Sequence, residues 1–303
     1  MISATMEKTR YSIILFYKYI SIRNTGSLKN TQRELCEKLG LRGRVIIGKE
    51  GINATLEGTH SAVARYRAEV RKDKRFSDIV FKHSIGTGKA FPRLSIKVRE
   101  EIVTLGVPIK NRRGGKYISS TELRSLFRKK EDITILDVRN KYETQAGHFS
   151  GSVNSNISNF RELPKLADNL HAYEEKKIVM VCTGGIRCEI ASRFFRQKGY
   201  KNVYQLKGGI ATYIQKYPGQ DFLGSLYVFD NRILMHAEGE KHTIIGTCAS
   251  CGKASERYTN CAYDPCHIHF ICCEMCEKQH SGYCSKLCAK NKTKKLVKLI
   301  ENR

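Results

Sequence analysis

Apolar positions in the first hundred residues alternate between the spacing of strands and the wider spacing of helices. The pattern predicts, in chain order, a strand, a helix, two strands, a helix and a strand, at 11–17, 28–39, 44–47, 52–56, 61–71 and 79–83. This order is typical of a ferredoxin-like α+β sandwich. We expect the aromatic residues of the first strand to pack in its core: Tyr11, Phe16, Tyr17 and Tyr19.

After a further apolar stretch at 94–98, a basic, glycine-containing segment at 110–116 indicates a boundary. Beyond it, single strands alternate with helices, which is typical of a parallel sheet. Ser120 can cap a helix through Arg128. The remaining elements are predicted as strands at 133–138, 178–181 and 203–206 and a helix at 189–198.

The strand at 178–181 ends directly at Cys182, and reactive groups in parallel sheets lie at the carboxyl ends of strands. Two glycines in the following loop let several backbone N–H groups point at one centre, and Arg187 and a helix N-terminus favour thiolate over thiol. Cys182 and Arg187 are therefore candidate catalytic residues. The loop between them is a candidate oxyanion site, formed by Thr183, Gly184, Gly185 and Ile186. The competing interpretation is an inert buried cysteine.

Six residues after Cys182, Cys188 is a third candidate catalytic residue. It could form a disulfide with Cys182, assist the chemistry, or simply face the core at the start of the helix. The Cys-x4-Arg spacing is one residue shorter than the Cys-x5-Arg loop of cysteine phosphatases, which favours a small group over a phosphate.

The high positive net charge indicates that the protein has a polyanionic partner. The net charge is +25, with 54 Lys and Arg against 29 Asp and Glu. Nucleic acid is favoured over an anionic membrane surface or a merely solubilising charge. No apolar run is long enough to span a membrane and no secretion signal is present, so we expect a cytoplasmic protein.

Nine of the 12 cysteines lie between Cys248 and Cys288, and a Lys-rich tail follows them. In a reducing compartment, closely spaced cysteine pairs indicate metal ligands, here two structural Zn²⁺ ions. Alternating pairs give one set of Cys248, Cys251, Cys273 and Cys276, and a second of Cys261, Cys266, Cys284 and Cys288. A histidine could replace a thiolate (His267, His269 or His280). Redox disulfides and an iron–sulfur cluster are the alternatives.

Residues 117–217 resemble a rhodanese domain. The matching motifs are Asp137–Asn140 with Glu143, 147–154, the loop 182–187, and 206–210 containing Gly208 and Gly209. Three strings, 48–54, 101–106 and 182–189, extend the resemblance to the bacterial tRNA uridine hydroxylase family. One difference is the doubled Cys272-Cys273, where the motif needs only the second cysteine.

The resemblance, taken together with the element pattern and the cysteine spacing, implies an α/β architecture of three parts. They are a ferredoxin/acylphosphatase-like domain at 1–109, a rhodanese domain at 117–220, and a Cys-rich zinc module with a basic tail at 221–303. It further implies oxygen-dependent 5-hydroxylation of the wobble uridine of tRNA, with molecular oxygen as co-substrate and Cys182 as the essential cysteine. Asp137 and Arg139 are expected to brace the rim of the site.

Uridine chemistry suggests the mechanism. Attack of the Cys182 thiolate at C6 would make C5 nucleophilic, with Arg187 and the loop N–H groups stabilising the enolate. No nucleotide-cofactor fingerprint is present, because 86–89 lacks the spacing of a P-loop. A sulfurtransferase carrying persulfide on Cys182 fits the loop equally well, and a non-enzymatic RNA-binding scaffold is the third hypothesis. The sequence leaves the oligomeric state and the choice of tRNA open.

Overall fold

The computed structural model describes residues 10–110, 113–236 and 242–291. The Lys-rich tail from Lys292 onward lies outside these ranges. Within them, no helix combines the length and the apolar character needed to cross a membrane.

The first part is a five-stranded sheet with two helices. Its strand order is β4-β1-β3-β2-β5, with β5 parallel to β2 and the other neighbours antiparallel. The chain order is β1 (Tyr11–Tyr19), α1 (Thr25–Lys38), β2 (Arg42–Gly48), β3 (Gly51–Thr59), α2 (His60–Lys72), β4 (Lys82–Gly86) and β5 (Leu94–Val98). The predicted sandwich is thus confirmed, and the apolar stretch at 94–98 adds a strand to it.

The prediction for β4 was wrong by three residues at its start. Ile79 and Phe81 are buried in the core, whereas Val80 is 66% exposed, and the strand begins only at Lys82. The alternating pattern at 79–83 therefore arises mainly from two buried side chains in a connecting segment. It does not arise from a backbone that is hydrogen-bonded in the sheet from residue 79.

The second part is a five-stranded parallel sheet in the order β6-β11-β10-β7-β9. The parallel sheet agrees with the prediction. Its elements are β6 (Lys116–Ile118), α3 (Ser120–Lys129), β7 (Ile133–Asp137), α4 (Lys141–Thr144), β8 (Gly147–Phe149), β9 (Val153–Asn154), α5 (Leu163–Ala167), β10 (Lys177–Val181), α6 (Ile186–Gln197), β11 (Val203–Leu206) and α7 (Gly209–Lys216). Short 3₁₀ turns occur at Phe160–Glu162 and His171–Tyr173.

Two helix starts in this second part differ from the prediction. Ser119, and not Ser120, caps α3: its hydroxyl accepts the N–H of Glu122, whose carboxylate accepts the N–H of Ser119 in return. Helix α6 begins at Ile186 instead of residue 189, because Gly185 adopts a φ of 95° and starts the helix earlier. This places Arg187 and Cys188 in its first turn.

The third part is built from short strands. Strand β12 (Phe222–Gly224) pairs with β8 and so joins this part to the second one. The others are β13 (Leu226–Tyr227), β14 (Leu234–Met235), β15 (Tyr258–Asn260) and β16 (His269–Ile271), with a 3₁₀ turn at Asp264–Cys266 and helix α8 (Glu274–Gln279). Its small core consists mainly of cysteine side chains.

Candidate active site and cysteine clusters

Cys182 follows β10 directly and is fully buried. Its Sγ accepts a hydrogen bond of 3.2 Å from the N–H of Gly185, so the loop curls around the sulfur as the two glycines indicate. Burial, considered alone, raises the pKa of this thiol. The Cys188 thiol, the charge of Arg187 and the N–H groups of Cys188 and Gly185 outweigh burial and lower the pKa of Cys182 to about 6.

Cys188 has the opposite character. It is fully buried, and burial together with its position beside the Cys182 sulfur raises its pKa well above the ordinary value. At neutral pH the pair is therefore a Cys182 thiolate beside a Cys188 thiol that can donate to it. Both cysteines are free in this structure.

Arg187 directs both terminal nitrogens at the buried carboxylate of Glu143, at 2.5 and 2.7 Å. Thr183 joins the same network, accepting from Arg187 at 3.2 Å and donating to Glu143 at 3.3 Å. The expectation that Arg187 stabilises an enolate directly needs revision, since Glu143 occupies these donors. Arg187 instead holds the loop and adds its charge beside Cys182.

Asp137 and Arg139 form a fully buried ion pair behind this network. Two nitrogens of Arg139 donate to the Asp137 carboxylate at 2.9 and 2.7 Å, and one of them also donates to the carbonyl of Gly147. The pair connects the end of β7 to β8, which is the bracing expected from the sequence.

The turn at Gly208 and Gly209 packs directly on the cysteine loop. The carbonyls of Cys182 and Thr183 accept hydrogen bonds of 2.9 and 3.0 Å from the residues that follow this turn. A Cβ on Gly209 would lie 2.6 Å from the nitrogen of Gly185, and its φ is 71°. Only glycine fits this contact.

The first sheet covers the loop from the other side. A Cβ on Gly184 would lie 2.9 Å from a methyl group of Leu15, and one on Gly185 would lie 2.9 Å from the hydroxyl of Tyr17. Phe16 packs in the sandwich core as expected. Tyr17 was wrongly assigned to that core, because alternation along β1 turns it toward the cysteine loop.

On this side, the Glu189 carboxylate accepts hydrogen bonds from the hydroxyl groups of Tyr17, at 3.3 Å, and Tyr117, at 2.7 Å. Lys82 of β4 lies next to them, with Nζ 4.7 Å from the ring centre of Tyr17. Burial lowers the pKa of Lys82 to about 8, although the negative charges of Cys182 and Glu189 oppose that shift. Lys82 was not predicted from the sequence. It lies a hundred residues before Cys182 in the chain, and no local motif indicates that the two are close in the fold.

Lys82 and Thr183 line a small cavity of about 60 Å³. His83, Ser84 and Arg232 line both this cavity and a groove of about 1440 Å³, which also includes Arg10 and His60. The small cavity therefore lies beside the groove and adjoins the cysteine loop.

The C-terminal cysteines form two groups of four, each compact enough to hold a metal ion. The groups are Cys248, Cys251, Cys273 and Cys276, and Cys261, Cys266, Cys284 and Cys288. These are the alternating sets expected from the spacing. Sulfur–sulfur distances of 3.6–3.7 Å within the groups are close to the roughly 3.8 Å between tetrahedral thiolates around zinc.

Cys272 and the three candidate histidines stand outside both groups in the described part of the chain. Cys272 is buried, with its thiol 3.6 Å from the carbonyl of Cys273. His269 bonds to Asn260 instead of joining a cluster. Four thiolates per group thus suffice without a histidine.

Three family models match successive parts of the chain. The model described as UPF0176 acylphosphatase-like domain matches residues 11–102, the rhodanese-like domain matches 119–216, and the model described as rhodanese C-terminal matches 223–289.

Curated relatives match nearly the full length. A tRNA uridine(34) hydroxylase of Aster yellows witches'-broom phytoplasma is 39% identical over 97% of both chains. One from Bacillus licheniformis is 38% identical over 93% of this chain and 89% of its own. Among solved structures, a rhodanese-related protein from Thermoplasma volcanium is 28% identical, with a TM-score of 0.29, over 34% of this chain and 93% of its own.

The ionisation of Cys182 can be measured from thiolate ultraviolet absorbance, as the difference between the unmodified chain and Cys182→Ser. We expect a midpoint near pH 6, with thiolate above it and thiol below. Replacing Cys188 by alanine removes a donor and should shift the midpoint upward. A midpoint at the ordinary cysteine pKa, or one insensitive to Cys188, would contradict this electrostatic account.

The ammonium of Lys82 should also stabilise the thiolate, because the Cys182 charge and the Lys82 charge act on each other reciprocally. Lys82→Met is therefore expected to raise the Cys182 midpoint and to lower the thiolate population several-fold near pH 6. Lys97→Met, on the exposed face of β5, is the matched control and should leave the midpoint unchanged. Equal midpoints in both variants would refute the coupling.

Proposed function

This chain belongs to the family of tRNA uridine(34) hydroxylases, and on that premise we propose that the Cys182 thiolate is the nucleophile that acts on the wobble uridine. The product is 5-hydroxyuridine in tRNA. The observation that carries the proposal is a cysteine whose pKa is lowered to about 6 inside a loop of inward-pointing N–H groups. The relatives named tRNA uridine(34) hydroxylase match this chain over nearly its full length, which supports the proposed substrate.

The reaction begins when Cys182 Sγ forms a bond to C6 of uracil. The C5–C6 electron pair then moves toward C5 and O4 as an enolate, whose oxygen can accept hydrogen bonds from N–H groups. C5 takes one oxygen atom derived from O₂. Loss of the C5 proton and cleavage of the S–C6 bond restore the ring. The second oxygen atom leaves as water, which requires two protons and two electrons from an external reductant.

Each neighbouring residue has a distinct part in this scheme. Cys188 supports the thiolate as a donor, and Arg187 acts as a positioning residue through Glu143 and Thr183. Lys82, with a pKa of about 8, can hold or release a proton near neutral pH. The backbone N–H groups of the loop stabilise the enolate oxygen, because the terminal nitrogens of Arg187 already donate to Glu143.

Substrate entry requires movement in this scheme. Cys182 has no exposed surface, and the adjoining cavity of about 60 Å³ is far smaller than an ordinary ligand pocket of roughly 300–1,000 Å³. We propose that the anticodon approaches along the larger groove and displaces the cover formed by Leu15 and Tyr17. The net charge of +25 favours this polyanionic partner.

The two cysteine groups are proposed to hold structural Zn²⁺. A segment with so small an apolar core needs another source of folding free energy, and thiolate coordination of a metal supplies it. A three-domain division at 1–109, 117–220 and 221–303, with the protein acting in the cytoplasm, completes the proposal.

Sulfur transfer is the second candidate function, favoured by the rhodanese-like match at 119–216. In that case Cys182 would carry a persulfide from a sulfur donor, and the product would be a thiolated nucleoside. The two functions therefore differ in the product they leave in tRNA.

Mass spectrometry of tRNA nucleosides tests the proposal in cells with the unmodified chain, with Cys182→Ser, or with the gene deleted. The serine variant should lose 5-hydroxyuridine as completely as the deletion, because a hydroxyl is a far weaker nucleophile than a thiolate. Cys36→Ser is the control, since Cys36 lies in the sandwich core away from the loop. Hydroxylation that survives in Cys182→Ser would exclude the mechanism, and loss of a thiolated nucleoside would favour sulfur transfer.

A further inference from the structure

A third group of potential metal ligands lies outside both cysteine clusters. His236, His242 and Glu256 converge on the hydroxyl of Ser225. That hydroxyl lies 2.7 Å from Nδ1 of His236, 3.3 Å from Nε2 of His242 and 2.6 Å from Oε1 of Glu256. The other carboxylate oxygen of Glu256 is 2.8 Å from Nε2 of His242.

Paired backbone segments position these side chains. Strands β13 and β14 pair Leu226 with Met235, which sets Ser225 opposite His236. Ser225 is fully buried, and its N–H donates to the carbonyl of Ala146 at 2.8 Å. Glu256 follows a backbone bridge that joins Thr247 to Ala254. The convergence thus depends on the fold.

Both imidazoles can be neutral in this convergence, which is the form that binds a metal ion. The single proton of the Ser225 hydroxyl is directed at Glu256, and each histidine can donate to that hydroxyl as a neutral ring with its proton on the facing nitrogen. The two imidazole rings are only 4.1 Å apart, a separation that two neutral rings tolerate. A divalent cation would take the place of the donated protons, and each neutral ring would keep its proton on the other nitrogen.

We propose that His236, His242 and Glu256 form a third metal site, for a divalent first-row transition ion. Their ligand atoms all lie within 4.8 Å of one another, and a tetrahedral site spaces such atoms roughly 3.4 Å apart. Small side-chain movements therefore admit the ion. Ser225 supports the carboxylate and the histidines from behind, as groups adjacent to metal ligands commonly do.

Ligand chemistry separates this site from the cysteine clusters. Two imidazoles and a carboxylate suit zinc and ferrous iron, whereas four thiolates form a softer site. His236 also lines the large groove, so the ion would lie at the groove wall. The proposal is independent of the uridine chemistry assigned to Cys182.

Metal content per chain tests the proposal on the full-length protein, saturated with Zn²⁺ and then desalted. The unmodified chain should hold one ion more than Glu256→Gln, which preserves side-chain size, or His242→Asn, which removes the imidazole. The surface pair His171 and Glu174 offers a matched control, because His171→Asn and Glu174→Gln alter an exposed His–Glu contact elsewhere. Those variants should keep the full metal content. Equal content in Glu256→Gln and the unmodified chain would overturn the proposal.

Cobalt substitution distinguishes the loss of one metal site from a loss of metal caused by misfolding of the variant. The intense sulfur-to-metal absorption of the cysteine clusters should remain in Glu256→Gln, while one equivalent of weakly absorbing, nitrogen- and oxygen-ligated Co²⁺ disappears. Parallel titration with Fe²⁺ without oxygen distinguishes the two candidate ions. A cobalt spectrum that is identical in the variant and the unmodified chain would also overturn the proposal.

Discussion

The active-site region depends on the stabilisation of one negative charge at a fully buried position. Burial of the Cys182 sulfur opposes ionisation, and the surrounding N–H groups, the Cys188 thiol and Arg187 reverse that preference. The loop must therefore keep its curled shape, which requires Gly185 with its positive φ and Gly209 in close contact. Arg187 must in turn be compensated within the protein, and the buried Glu143 carboxylate does so.

Local sequence was sufficient for the parts of the site that are close in the chain. The strand that ends at Cys182, the glycine loop and the alternating cysteine pairs all follow from spacing over a few residues. The partner of Arg187 could not be predicted in this way, because Glu143 lies on another helix. Lys82 and Tyr17 come from a different sheet, and only the packing of that sheet on the loop shows that they belong to the site.

The errors in the predicted fold also arose because the sequence pattern does not show which distant segments pair. The apolar pattern at 79–83 was interpreted as a strand, although Ile79 and Phe81 bury their side chains before the pairing with β1 begins. The group of His236, His242 and Glu256 has no regular spacing. The pairing of β13 with β14 sets His236 opposite Ser225, and Glu256 reaches it after the separate bridge between Thr247 and Ala254. Periodicity reports which side chains are buried, but it does not report which distant segments meet.

The central claim is that Cys182 adds to C6 of the wobble uridine, and a tRNA with 5-fluorouridine at that position tests it most directly. Fluorine at C5 cannot leave as a proton does, so the covalent intermediate should persist. The account predicts a protein–tRNA adduct that survives denaturation, maps to Cys182 by peptide mass spectrometry, and is absent in Cys182→Ser. No adduct with the fluorinated tRNA, under conditions in which the same protein hydroxylates ordinary tRNA, would contradict it.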